Sequence, residues 1–111
     1  PFFMVGGSVN AAFLNFSKAL SKRGLIDGVN VNSINPGMTS TDRLITIIQS
    51  NADREGISFA EAEKKALKNI GLDRFGSPEE VAELTYFLCN PNMRHLTGTE
   101  INLDGGKKST I

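Results

Sequence analysis

Apolar residues at Val9, Phe13, Phe16 and Leu20 recur at spacings of 4, 3 and 4, and this stripe predicts a helix over residues 8–23. Ala12 and Ala19 extend the stripe with small side chains that let another helix approach closely. Lys18, Lys22 and Arg23 gather in the expected last turn, where cations oppose the negative end of the helix dipole, and Gly24 ends it. Gly6-Gly7-Ser8 gives a tight entry with Ser8 as N-cap. Ahead of that entry, Phe2, Phe3 and Met4 either finish a buried strand or line a pocket beside Gly6.

The period changes at residues 29–35. Val29 and Val31 alternate with polar residues and predict a strand that Pro36 terminates, because proline offers no ladder donor. Asn30, Asn32 and Asn35 place that strand near a sheet end, where side-chain amides meet loops rather than core. Residues 36–40 form a turn, and Thr41-Asp42 caps a short helix carrying Leu44, Ile45, Ile47 and Ile48, which the polar segment 51–57 breaks. Ser58-Phe59-Ala60-Glu61 matches a capping box, and the helix it opens runs to Gly71 at the C′ position. Sparse apolar positions make the segment 42–73 read as a mobile two-helix insert.

Ser77-Pro78-Glu79-Glu80 combines a serine N-cap, proline at N1 and glutamate at N3. Val81, Leu84, Thr85 and Leu88 then make the buried face of a helix that Asn90-Pro91 stops. Residues 99–103 alternate as a short strand closed by Asp104-Gly105-Gly106. The order helix, strand, two-helix insert, helix, strand predicts an α/β layered fold with parallel strands. Two strands make no stable open sheet alone, so further strands are expected upstream.

Composition narrows the functional classes. The 111 residues carry 12 Lys and Arg against 12 Asp and Glu, a formal net charge of zero, so no nucleic-acid or membrane-surface partner is expected. The single cysteine makes neither an internal disulfide nor a zinc site, which fits a cytoplasmic location. No apolar run reaches the roughly 18 residues of a membrane span. The chain opens on Pro1 rather than Met, so residues 1–111 are expected to be a C-terminal fragment of one domain from a longer reading frame.

Ala11-Ala12, Lys18-Ala19-Leu20, Val29, Val31-Asn32, Asn35-Pro36-Gly37, Thr41-Asp42, Arg74-Phe75-Gly76-Ser77-Pro78-Glu79-Glu80-Val81-Ala82, Phe87-Leu88, Leu96-Thr97-Gly98 and Asp104-Gly105-Gly106 follow one another at characteristic spacings. Together they resemble the C-terminal half of a short-chain dehydrogenase/reductase, across nearly the whole chain. The resemblance implies a doubly wound Rossmann-type parallel sheet binding NAD or NADP, with the glycine-rich phosphate loop outside this chain. It places Pro36, Gly37, Met38 and Thr41 at the carboxyl edge of a strand, where backbone groups and the threonine hydroxyl meet the nicotinamide carboxamide. Gly37 would then keep a Cβ away from the ring. From the residues alone, Pro36-Gly37 also reads as a strand-ending turn and Thr41 as a helix cap.

The family's active site is a tyrosine followed four residues later by a lysine on the first helix. The tyrosine acts as acid and base, and the ammonium lowers its pKa while holding the cofactor ribose. Aligning Ala11-Ala12 with the residues after that lysine puts Gly6 at the tyrosine position and Asn10 at the lysine position. No catalytic residue is therefore assigned, and Asn10 remains only a cofactor-side candidate. Tyr86, the sole tyrosine, reads as packing with its hydroxyl at a rim, Cys89 as a buried small residue, His95 as a surface or capping residue, and Asp104 as a turn residue. No metal site is expected.

The expected protein transfers a hydride between NAD(P) and a small carbonyl or alcohol substrate, as a homodimer or homotetramer. Segment 42–73 would be its substrate lid, with Leu44, Ile45, Ile47 and Ile48 as an apolar wall. A non-catalytic binding or scaffold protein that lost the tyrosine and lysine is the alternative.

Overall fold

The computed structural model describes residues 4–107. Among the described residues four helices, two strands and a 3-10 turn follow in the order α1 (Met4–Asp27), β1 (Ser33–Pro36), α2 (Asp42–Glu55), α3 (Phe59–Ile70), α4 (Pro78–Leu88), the 3-10 turn (Pro91–Met93) and β2 (Glu100–Leu103). Ser33 N donates to Thr99 O and Gly37 N to Leu103 O, each at 2.9 Å. The constant register of the two bonds makes β1 and β2 a parallel pair.

α1 is longer at both ends than residues 8–23. It starts at Met4, so Ser8 is interior and its Oγ donates to the Met4 carbonyl at 2.9 Å instead of capping. Met4 is therefore helical rather than the end of a strand; Phe2 and Phe3 lie outside the described residues. Gly6 and Gly7 are carried inside the helix, each at a cost of about 1 kcal/mol relative to alanine. The helix passes through Gly24 and ends at Asp27, with Arg23 paired to Asp27 at 2.8 Å in place of a cationic last turn. Gly28 takes the left-handed position at φ 71, and Val29 N returns to Gly24 O at 2.8 Å.

The same closing pattern recurs after α2 and α3. Gly56 and Gly71 follow the last helical residues, while Ile57 N bonds Ala52 O and Leu72 N bonds Leu67 O, each at 3.1 Å. These are Schellman ends, in which the amide after the left-handed residue satisfies a carbonyl one turn back. The polar segment 51–57 does not break α2. Leu44, Ile48 and Ala52 continue its buried stripe at four-residue intervals, and the polar residues take the outer face.

β1 starts four residues later than expected, at Ser33. Val29 is used in the end of α1, and the asparagines tie the next residues to a distant loop. Asn30 Nδ2 reaches the carbonyls of Met93, Arg94 and Leu96 at 3.1–3.3 Å. Asn32 donates to Leu96 O at 2.8 Å and accepts from Thr99 Oγ1 at 3.0 Å. Asn30 and Asn32 thus meet a loop as expected, but both precede β1; Asn35, inside the strand, donates instead to Glu100 Oε1 of β2 at 2.6 Å.

The described chain divides into two compact units: residues up to Asn35 with Leu84–Ile101, and Pro36–Glu83 with residues from Asn102 onward. In the first, α1 buries Ser17, Ser21 and Gly24, and leaves Val9, Phe13 and Phe16 61–63% exposed. The small residues admit the 96–99 loop: Lys18 Nζ donates to Gly98 O at 2.6 Å, and a Cβ on Gly98 would stand 2.7 Å from Ser21 Oγ.

In the second unit, α2 and α3 pair around Leu44, Ile48, Ala52, Ala62 and Phe75, with Met38, Phe59, Leu67 and Ile70 packed against them. The two-helix segment thus supplies most of the buried apolar cluster of the described residues, and Phe75 completes it from the segment before α4. No described helix is long and apolar enough to cross a membrane.

Candidate functional site

Pro36 ends β1, and the chain turns through Gly37, Met38, Thr39 and Ser40 before Thr41 opens α2. Gly76 holds this turn from the side. Its N–H donates to Met38 O at 2.9 Å and its carbonyl accepts from Ser40 N at 2.8 Å, forming a parallel bridge opposite Thr39. Thr39 Oγ1 donates to Gly37 O at 3.2 Å.

Thr41 is extended at φ −119 and ψ 163, the backbone geometry of an N-cap, but its side chain makes no capping hydrogen bond to α2. Its exposed hydroxyl faces other uses. Pro36, Gly37, Thr39 and Thr41 line an open cleft of about 420 Å³, whose other side is Pro78 and Val81 of α4. A primary amide needs one acceptor and one donor, and a threonine hydroxyl offers both. The apolar Pro78 and Val81 side suits the flat face of an aromatic ring.

Three of the sequence-predicted residues, Pro36, Gly37 and Thr41, therefore converge. Met38 contributes its backbone to the Gly76 bridge while its side chain packs on the α2–α3 cluster. Asn10 lies on α1, in the other unit, and is exposed. Thr39, Pro78 and Val81, which also line the cleft, and Gly76, which holds the turn, were not among the expected site residues. Gly76, Pro78 and Val81 lie in the segment 74–82, which the sequence marks as a helix start and as part of the family resemblance; no such signal marked Thr39.

Gly37 is also constrained from within the chain. A Cβ there would lie 2.8 Å from Asp104 Cα and 3.0 Å from Asp104 Cβ, closer than real contacts allow. The chain's own backbone demands glycine at this position.

Behind the α4 side of the cleft, Arg74 and Glu80 form a two-pronged pair, with Arg74 Nη2–Glu80 Oε1 at 2.6 Å and Nη1–Oε2 at 2.9 Å. Glu80 Oε2 also accepts from Ser77 N at 2.7 Å, and Ser77 Oγ accepts from Glu80 N at 3.2 Å, the reciprocal capping box. The Arg74 hydrogen bond, then the Ser77 amide, pull the Glu80 carboxyl from an ordinary 4.5 to about 2.

The remaining candidates are surface groups. Gly6 lies inside α1 and Asn10 one turn further on, so no phenol or ammonium stands at those two positions. Tyr86 is 78% exposed on α4 rather than packed, because no described element covers that face. Val81, Leu84 and Leu88 are half-buried and Thr85 is exposed, so none of the expected α4 face is fully buried. Cys89 is exposed, not a buried small residue, and lies just past the end of α4 at Leu88. His95 is exposed, and Asp104 Oδ1 accepts from Gly106 N at 2.9 Å in an Asx turn. Among the described residues no three His, Cys, Asp or Glu side chains cluster as metal ligands.

The family model described as enoyl-(acyl carrier protein) reductase matches residues 3–108. The NADPH-dependent reductase BacG of Bacillus subtilis is 35% identical over 103 residues, 93% of this chain and 40% of BacG. L-sorbose reductase from Gluconobacter frateurii, solved with NADPH and L-sorbose, superposes with a TM-score of 0.84 at 30% identity, covering 91% of this chain and 39% of that one. An NADPH-bound short-chain oxidoreductase from Pseudomonas aeruginosa PAO1, described as containing an atypical catalytic center, superposes at 0.74 with 25% identity, over 91% of this chain and 37% of that one. The ordered strand, turn, hairpin and capped helix, with this match along their length, make the chain a member of the short-chain dehydrogenase/reductase family. It spans about 40% of the length of these relatives.

Proposed function

We propose that this chain supplies the nicotinamide side of an NAD(P)-dependent oxidoreductase, completed by an N-terminal half that carries the dinucleotide phosphates. The observation that carries this reading is the Thr41 hydroxyl, uncommitted to helix capping and lining the same cleft as Pro36, Gly37 and Thr39. Thr41 would fix the carboxamide, and Pro78 and Val81 would shield one ring face from water. The bound cofactor supplies the hydride for a small carbonyl, or accepts it from an alcohol. Ile45 and Ile47, 52% and 45% exposed on α2, give the hairpin an apolar surface suited to a lid over a substrate with hydrophobic bulk. Leu44 and Ile48 face the hairpin core instead and belong to no such wall. The free Cys89 thiol supports a cytoplasmic location.

The test is titration of the full-length protein with NADPH and NADH, followed by turnover on a panel of carbonyls and alcohols. Thr41→Val is expected to weaken cofactor binding about tenfold, the loss of one well-made hydrogen bond, with an unchanged melting temperature. Equal affinity in wild type and variant would sink the assignment.

A second reading rests on Gly6 and Asn10. Glycine moves no proton and asparagine carries no charge to stabilise a phenolate, so the proton comes from an upstream residue or water, or the protein binds without turnover. Cofactor binding with no turnover on the whole panel selects the binding or scaffold protein.

The exposed Val9, Phe13 and Phe16 stripe on α1 and Phe87 on α4 support assembly as a homodimer or homotetramer. Light scattering on the full-length protein reads that state directly.

A further inference from the structure

Two segments far apart in sequence build the cleft: the turn 36–41 and the start of α4 at Pro78 and Val81. The hairpin of α2 and α3 separates them in the chain, and nothing in that hairpin lines the cleft. What joins the two sides is the short strap 74–77. Phe75, 8% exposed, anchors the strap in the hairpin core. Gly76 bonds Met38 and Ser40 on the turn side.

On the α4 side the strap is closed by Arg74 and Glu80. Arg74 Nη1 donates both to Phe75 O at 3.0 Å and to Glu80 Oε2, while the Ser77 amide donates to that same Glu80 oxygen. Thr39 Oγ1 and Glu80 Oε2 both stand 3.7 Å from where a Cβ of Gly76 would be. The carboxylate therefore backs directly onto the strap residue that pairs with the turn.

We propose that Arg74 and Glu80 are positioning residues for the nicotinamide end of the cofactor: their ion pair sets the strap, and the strap sets the spacing between Thr41 and the Pro78–Val81 side. The inference rests on the functional reading above. Neither side chain lines the turn side of the cleft, so their effect travels through Gly76 and the first turn of α4.

Glu80→Gln is the informative variant, because the amide oxygen still accepts from Ser77 N in the capping box, while the charge of the pair and the hydrogen bond from Arg74 Nη2 are lost. The measurement is the affinity of the full-length protein for NADPH beside that for 2′-phospho-ADP-ribose, and for NADH beside ADP-ribose. Each second ligand lacks only the nicotinamide ring. Glu80→Gln is expected to weaken the dinucleotide about tenfold, the scale of one charge-assisted hydrogen bond, and to leave the ring-less ligand unchanged. Arg74→Lys, which keeps the charge but not the fork, should fall between wild type and Glu80→Gln.

An equal loss for both ligands would mean a general structural role and overturn the proposal, as would no loss for either. Should Glu80→Gln fail to fold, Arg74→Lys carries the same comparison. A wild-type protein that binds dinucleotide and ring-less ligand equally overturns the nicotinamide reading itself, and this inference with it.

Discussion

Gly37 bonds Leu103 across the parallel pair, and its backbone meets that of the next residue, Asp104, where β1 and β2 end. An added methyl at residue 37 would overlap Asp104 Cα, and neither backbone can swing aside as a flexible side chain would. Gly37→Ala is therefore expected to cost about 1–3 kcal/mol, read as a lowered midpoint in urea unfolding. An unchanged midpoint would show that the strand ends part easily. Glu80 gives a second prediction at this scale. Its folded carboxyl titrates near 2 against 4.5 for an unpaired one, so its contribution is complete above pH 4.5 and disappears as pH falls toward 2. The pair is exposed, so the effect is modest and weakened by salt. Unfolding midpoints of wild type and Glu80→Gln should differ at pH 6 and converge toward pH 2; a constant gap would contradict the assignment.

At the scale of elements, the α2–α3 hairpin distinguishes a buried from an exposed helix face. Ile48 is 3% exposed and Ile45 52%. Ile48→Ala should cost about 2–5 kcal/mol, whereas Ile45→Ala should stay within about 0.5 kcal/mol as a surface change. Thermal unfolding of the two variants checks the helix phase, and equal losses would refute it. The start of α3 is equally specific. Ser58 Oγ accepts from Glu61 N at 3.3 Å, and Glu61 Oε2 accepts from Ser58 Oγ at 2.7 Å and from Ser58 N at 2.9 Å; the hydroxyl first and then the amide hold the Glu61 carboxyl below its usual range. Ser58→Ala should cost about 1 kcal/mol, seen as reduced helicity on heating. Both capping boxes were legible in the sequence because a cap involves residues three apart and nothing else. The ends of α1 were less legible: Ser8 and Gly24 have the right chemistry for caps, but Gly28 offered a better left-handed residue four positions later.

For the whole molecule, the position of α1 decides what is left uncovered. The helix turns Ser17, Ser21 and Gly24 inward and presents Val9, Phe13 and Phe16 outward. A contiguous apolar stripe of this kind marks a surface that another element or copy covers. Residues 1–111 produced alone should bind the apolar dye ANS, and Phe13→Asp combined with Phe16→Asp should remove most of that fluorescence. Dye fluorescence at the buffer level in the unmodified chain would mean that the stripe is already covered.

The sequence by itself determined the order of elements, the parallel α/β class, the helix starts at Ser58 and Ser77, and the family, because each is written in short-range spacing and in motifs that keep their order. Tertiary structure decided the rest: that Asn30 and Asn32 bind the 93–99 segment, that Gly37 yields to Asp104, that Gly76 bridges Met38 and Ser40, and that α1 buries its serines rather than its phenylalanines. These contacts join residues tens of positions apart. Their partners depend on how close two backbones come, and a local pattern of polar and apolar residues carries no record of that distance.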